Sequence, residues 1–363
     1  MPADNGEANL AGTLLFIGSQ TRNNAAGTPG ITVFNFDDAT GALGKVAEVG
    51  GIDNANWLAL DRVHDRLYAV TEVGEWNEGT VSAYDLDPAT GRLSYINKQP
   101  TLGGTTCHAG LSPDGAWLAV ANYAVLPASE RPDQSVALYR ADGMELAPAS
   151  GRARHHGTGP NPDRQERPHG HCVLFLPDGR NLLVADLGLD RLVAYGVGSK
   201  GELVPTPDRD VVFSPGRGPR HATFHPSGDV IYVVHELTAG VSVLDFDGTR
   251  ARLRNTVDIA YPQPVSPAAV VASPDGRHLY VTVRFTGDIV GFAIGADRGL
   301  TEIGRWPCGG TTPRDARLSP SGHYLLVANQ DNGTLAVFRR DTETGALQPT
   351  GSVSVATPMC VAF

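Results

Sequence analysis

The stretch SPDGRHLYVTVR, residues 273–284, decides the fold. Its P-D-G core is a tight turn, in which proline presets φ and glycine supplies the positive φ that the last corner needs. The run LYVTV that follows is β-branched and aromatic, the composition of a strand. The same pattern recurs as SPDGAWLAVANY (112–123), LPDGRNLLVADL (176–187), HPSGDVIYVVHE (225–236) and SPSGHYLLVANQ (319–330). A weaker copy is DRVHDRLYAVTE (61–72), and GTLLFIGSQ (12–20) is a seventh without its turn. From Asp114 the turn residue advances 64 positions to Asp178, then 49, 48 and 46 to Ser227, Asp275 and Ser321. The long step predicts an insertion, at about 141–170.

Working outward, each turn is preceded by a short apolar strand. It is followed by a third, alternating strand such as TVSAYDLD, GVSVLDFD, DIVGFAI or TLAVFRRD. A fourth, weaker strand lies beyond turns such as DDATGAL, DPATGRL and DTETGAL. Four strands per unit at this period is the signature of a propeller blade. No helical periodicity is sustained, so few helices are expected. The chain opens on a second strand, and MCVAF (359–363) reads as a first strand. The C-terminal strand is therefore expected to complete the blade begun by the N-terminus, which removes exposed sheet edges. The expected fold is all-β: a seven-bladed β-propeller of four-stranded blades, forming a single domain over 1–363.

Composition narrows the function. The 363 residues include 39 acidic and 29 basic side chains, a formal net charge of −10, which disfavours a general nucleic-acid binder. A chain that is 41% hydrophobic can bury a core. No apolar run approaches the roughly 18 residues of a membrane span. The opening MPADNGEANLAGTLLF has no cationic segment followed by a long apolar one, so no export signal is read there. Cys107, Cys172, Cys308 and Cys360 are dispersed, which suits a reducing, cytoplasmic setting. The 43 glycines and 26 prolines are in large part turn punctuation.

With the turn proline as anchor, the repeats align in columns. Six residues before it stand Cys107, His171, Arg220, Ala268 and Arg314; ten after it stand Tyr123, Leu187, Glu236, Arg284 and Gln330. Both columns break the strand pattern with ionisable residues. In a propeller they converge on one mouth of the central channel, and the concentration of arginine there suits an anionic ligand. The insertion supplies RHHGTGPNPDRQERPHGH (154–171), with four histidines. A metal site is one reading of H-x-H. The crowd of Arg152, Arg154, Arg164 and Arg167 disfavours a divalent cation, so no metal and no cofactor is expected. Acid–base chemistry is the other reading. His155 reads as an incidental loop residue, whereas His169 and His171 begin a channel strand. His108 and His221 read as hydrogen-bonding residues inside their blades, and His225 as a turn-packing residue. Asn122, Asp186 and Asn329 read as Asx-type turn residues. Cys107 and His108 are adjacent on a strand and are not a nucleophile–base pair. Neither a G-x-S-x-G elbow nor a phosphate-binding G-x-x-x-x-G-K-[ST] loop is present.

The stretches HGTGPNPDRQERPHGH, VADLGLDRLVAY, GRGPRHATFHPSG with VVHEL, and TPRDARLSPSGHYLLVANQ resemble the bacterial lactonase family of seven-bladed propellers. That family includes a cytoplasmic 6-phosphogluconolactonase type and is similar to the fungal 3-carboxy-cis,cis-muconate lactonizing enzyme. The likeness runs from LFIGSQT to TPMCVAF. It implies catalysis by His171 or His169 with Arg220, Glu236 and Arg284, four of which the columns isolate independently. Arg314 and Gln330 are further pocket residues, and Gln165 and Glu166 are expected to order the insertion over the substrate. His235 stands where the family usually has asparagine and is expected to contact substrate, and the T-V-R-F segment, with Val283 and Phe285, stands where it usually has S-N-R-G. The implied activity is hydrolysis of a sugar-derived or carboxylated, anionic lactone. Alternatives are a muconate-type cycloisomerase, which consumes no water and takes a diacid, and a non-catalytic scaffold. A small-molecule partner is expected, with no nucleic acid and no membrane, and the oligomeric state is left open.

Overall fold

The computed structural model describes residues 12–123 and 133–363. Seven antiparallel sheets follow one another around a central channel. Blade 1 is built from Thr13–Ser19, Ile31–Phe36 and Leu43–Val49, and the C-terminal strand Pro358–Ala362 is its innermost member. That strand pairs Phe16 with Ala362 and Gly18 with Cys360, so the ring is closed as the two ends of the sequence predict. Blades 2 to 7 begin with the inner strands Ala55–Asp61, Thr106–Leu111, Gly170–Phe175, Pro219–Phe224, Ser266–Ala272 and Pro313–Leu318. The described helices are single turns of 3-10 helix at Leu187–Leu189 and Pro207–Arg209. The second of these splits the outer edge of blade 4 into Leu203–Pro205 and Val211–Val212, so this sheet has five strands.

The second strands carry the core. Leu67 to Val70, Leu118 to Ala121, Ile231 to Val234 and Leu325 to Ala328 are buried on both faces, because each sheet packs against a neighbouring blade on either side. This explains why the segments read as continuous apolar runs and not as alternation. The P-D-G turns place glycine at positive φ, as at Gly276 (φ 69°). A Cβ there would come within 2.6 Å of the ring of His225, which itself bonds the Gly276 carbonyl. His225 is thus the turn-packing residue that the sequence suggests.

The long step between blades 3 and 4 has a different make-up from the expected insertion. Residues Ala149–Ala153 are the blade's own fourth strand, paired with Val136–Arg140. The extra length that positions the site is the connection 154–169, which runs over the channel mouth into the inner strand of blade 4.

Candidate active site

The first column sits in a bulge repeated around the ring. At the head of the inner strands the register slips by one residue, leaving Asn56, Cys107, His171, Arg220, Arg314 and Met359 without a partner across the ladder. In blade 6 the slip spans Ala268 and Ala269. A bulge twists the strand and re-aims the extra side chain, here into the channel. Inner and second strands are antiparallel, so the end of each second strand returns to the same mouth. Glu72, Tyr123, Glu236 and Gln330 follow those ends and Arg284 is the last residue of its strand, beside the bulges.

Glu236 is the centre of the arrangement. Its Oε2 accepts from Arg220 Nε at 3.0 Å and lies 2.9 Å from Arg284 Nη2 and 3.9 Å from His171 Nε2. Its Oε1 accepts from Arg164 Nη2 at 2.5 Å, and the same nitrogen donates to the Tyr123 hydroxyl at 3.1 Å. Burial alone would raise the Glu236 carboxyl, but Arg284 and Arg220 outweigh it and hold the group far below the usual carboxylate range. Burial, reinforced by Arg284, lowers Arg220 to about 10, which leaves it cationic at neutral pH. Burial, reinforced by Arg220, pushes His171 well below the ordinary histidine range, so its imidazole is neutral. Neither ring nitrogen of His171 is held tightly, since Nδ1 is 3.9 Å from Cys107 Sγ. A neutral, loosely held imidazole beside a fixed carboxylate can accept a proton from water.

The four arginines differ in what they offer a ligand. Arg220, 2% exposed, donates to the Ala268 carbonyl and underlies Glu236. Arg284 is tied to Ser266 through its Nε and Nη2. Arg314 reaches Glu72 at 2.9 Å, and Asn56 donates to the same carboxylate oxygen at 2.7 Å. Arg164 is the most exposed of the set, with 41% of its side chain open. Against Arg164, Arg220, Arg284 and Arg314 stand only the carboxylates of Glu236 and Glu72 in these contacts. The excess is positive although the whole chain is acidic.

Other expected site residues lie elsewhere. His169 is held with Nδ1 on the Tyr123 carbonyl at 2.7 Å and Nε2 on Glu166 at 3.1 Å, and its ring stacks on Tyr123 at 4.2 Å. It braces Tyr123 and the connection beside the site, and no contact joins it to Glu236. Gln165 is fully buried: its amide donates to the Leu187 carbonyl and accepts from the Asn161 amide, so it orders the connection and presents nothing to the channel. His235 is also buried inside its blade, bonded to Ser242 and set edge-on to Phe213. The pleat explains this, because Glu236 faces the channel and its neighbour must face away. Gln330 is half-buried at the mouth, and Phe285 is exposed, with φ at 73°.

Three sequence readings are corrected. His155 is no loose loop residue: it is buried, and its Nδ1 lies 2.5 Å from the buried carboxylate of Asp186. Asp186 also accepts from the backbone N–H of His169, so it pins both ends of the connection and is no Asx turn. Asn122 and Asn329 likewise donate to carbonyls of preceding loops, at Thr101 and Cys308. His221 takes the hydrogen bond expected inside its blade, with Arg220 Nη1 at 3.1 Å, but His108 Nδ1 accepts from the Val173 N–H of the next blade at 3.2 Å. Both rings also meet Trp57 and each other, His221 touching His171 as well. Cys107 and His108 are not partners; Cys107 faces His171, and His108 Nε2 lies 3.5 Å from Cys172 Sγ.

Sequence reasoning missed Asn56, Glu72, Arg164 and Tyr123 as members of the cluster. Asn56 and Glu72 flank the weakest repeat, whose turn lacks the proline anchor. Tyr123 stood in the second column with no charge to mark it. Arg164 was visible in the R-Q-E run but has no repeat equivalent. Asp190 is a further positioning residue, accepting from the amides of Gly216 and Gly218 to set the lead into Arg220. Among the described residues no group of three or more His, Cys, Asp or Glu is placed to hold a metal ion.

The fold and site together define a seven-bladed propeller with a cationic, carboxylate-centred pocket at one channel mouth. A family model described as "Lactonase, 7-bladed beta-propeller" matches residues 14–363, and the chain belongs to that family. It is 32% identical over 355 residues to a 6-phosphogluconolactonase of Bacillus subtilis, covering 96% of this chain and 97% of that one. It is also 32% identical over 344 residues to a 6-phosphogluconolactonase of Formosa agariphila, covering 92% and 94%. Among solved structures, a periplasmic gluconolactonase of Pseudomonas aeruginosa superposes with a TM-score of 0.88 at 32% identity, covering 96% and 98%.

Proposed function

We propose that this protein hydrolyses an anionic, sugar-derived lactone of the 6-phosphogluconolactone type. The observation that carries the reading is Glu236 clamped by three arginines beside the neutral His171. The names of its relatives point to the same substrate class. His171 takes a proton from water as the oxygen adds to the lactone carbonyl. Arg284, close to His171 and Glu236, stabilises the oxyanion. The ring C–O bond then breaks, and the departing alkoxide recovers the proton from His171. Water is consumed and a hydroxy acid results. Glu236 keeps the arginines charged and oriented, and because both its oxygens are engaged by guanidiniums it is less free than His171 to accept a proton. Arg164 and Arg314 hold the distal phosphate or carboxylate, with the substrate anion displacing Glu236 from the exposed fork of Arg164.

We place this chemistry in the cytoplasm, on the support of four buried cysteines that form no disulfide. The test of function is acid release, followed by pH-stat, from 6-phosphogluconolactone and from glucono-lactone. Faster release than the spontaneous reaction, with preference for the phosphorylated substrate, is expected. No acceleration of either would remove the reading.

A further inference from the structure

The channel has a second mouth, formed by the distal halves of the inner strands. A cavity of about 410 Å³ opens there, lined by Trp57, His108, Ala109, Ala222, Leu318 and Phe363 among others. The rings of Trp57, His108 and His221 lie between it and the cluster around Glu236. Most of the side chains that line it are apolar, and no aspartate or glutamate is among them. Its one charged side chain is Arg317, because burial drives His108 to its neutral form.

Arg317 is held in place before any ligand arrives. Its Nε donates to the Val361 carbonyl at 3.2 Å, and its guanidinium lies 5.3 Å from the centroid of Trp57. Trp57 is itself fixed by donating from Nε1 to the Ala109 carbonyl at 2.9 Å. The nearby Asp315 is 1% exposed and accepts from the Val361 amide, outside ion-pair distance of Arg317. Among the described residues Nη1 and Nη2 of Arg317 have no protein partner, and neither is sealed from solvent. A guanidinium fork with two open donors matches a carboxylate. The aromatic and aliphatic walls match a flat apolar body.

We propose that this far mouth is a second ligand site, which takes a small monocarboxylate carried on a flat apolar body. The carboxylate sits on the Arg317 fork, and the body lies against Trp57 and the aliphatic wall. The site is chemically unlike the Glu236 mouth, where four arginines suit a strongly hydrated polar anion. It does not depend on the lactonase reading.

The test is a calorimetric titration of the full chain with benzoate and with neutral, near-isosteric benzamide. Saturable benzoate binding is expected, with benzamide about tenfold weaker or worse, as expected for loss of a charge-assisted contact. Arg317→Gln is expected to lose the same factor for benzoate and to leave benzamide binding unchanged. Arg317→Lys, which keeps the charge but not the fork, is expected to fall between them. Its melting curve, and that of the Gln variant, report whether the ring is intact. Arg284→Met, at the opposite mouth, is expected to leave benzoate binding intact. Absence of saturable benzoate binding, equal binding of benzamide, indifference to Arg317→Gln in a folded variant, or loss of binding in Arg284→Met would each overturn the proposal.

Discussion

Glu236 contacts three guanidiniums and yet leaves a positive excess at the mouth, and this balance sets the behaviour of each residue around it. Removing the carboxylate charge exposes the arginines to mutual repulsion and frees the fork of Arg164. Glu236→Gln is therefore expected to reduce kcat by about 10²- to 10³-fold, a loss of the size seen when a charge-organising group is removed; steady-state kinetics checks it. His171→Asn removes the proton acceptor, at an expected cost of about 10²- to 10⁴-fold in kcat/KM. The pH profile is a sharper readout. Because burial and Arg220 lower His171, its base form persists through pH 6.5. The acid limb of kcat/KM is expected below the ordinary histidine range, and a limb at or above 6.5 would contradict this role for His171. The residues readable in the sequence are the ones that interrupt a regular strand with charge: His171, Arg220, Glu236, Arg284 and Arg314. His155 and Asp186 were not readable as a pair, since nothing in a sequence reports that two residues 31 apart meet in a dry interior.

At the scale of elements, two devices place those side chains. The repeated bulge turns one residue per inner strand into the channel, and it is invisible in the sequence because a bulge keeps the local strand composition. It nevertheless shows up as a periodic column once the turns are aligned. The other device is the connection 154–169, which brings Arg164 over Glu236 and is tied down by buried polar contacts. Its expected starting point near 141 was too early, since ASGRA at 149–153 has the weak pattern of every outer strand. His155→Ala leaves the Asp186 carboxylate buried with one partner fewer. A loss of about 1–3 kcal/mol is expected, measured by denaturant unfolding. Activity should fall in the same variant, because Asp186 also holds the backbone of His169. Wild-type stability would count against the pinning role of this pair.

At the scale of the molecule, the ring closes through its last strand, and the sequence states this openly: a lone second strand at one end and a lone first strand at the other. Deleting 358–363 removes the Phe16–Ala362 ladder and exposes the inner edge of blade 1, so association on gel filtration and loss of a single cooperative melt are expected. The interior also fixes the acid response. His108, His171 and His221 are buried and held well below the ordinary histidine range, and His235 is lowered to about 3, in each case chiefly by burial. The unfolded chain therefore binds protons at these positions below about pH 6.5 while the folded chain does not. Each residue removes stability as the pH falls from there towards its folded value, at about 1.4 kcal/mol per pH unit. Thermal melts from pH 7.5 to 5 are expected to show a steepening loss below 6.5, and a flat profile would exclude buried neutral histidines. The most direct measurement of the central claim is the rate of acid release from 6-phosphogluconolactone by wild type and by Arg284→Met, the latter shown to be folded by its melt. The account predicts catalysis in the wild type and a loss of about 10²-fold or more in the variant, as for removal of an oxyanion donor. Equal rates in the two proteins would contradict it.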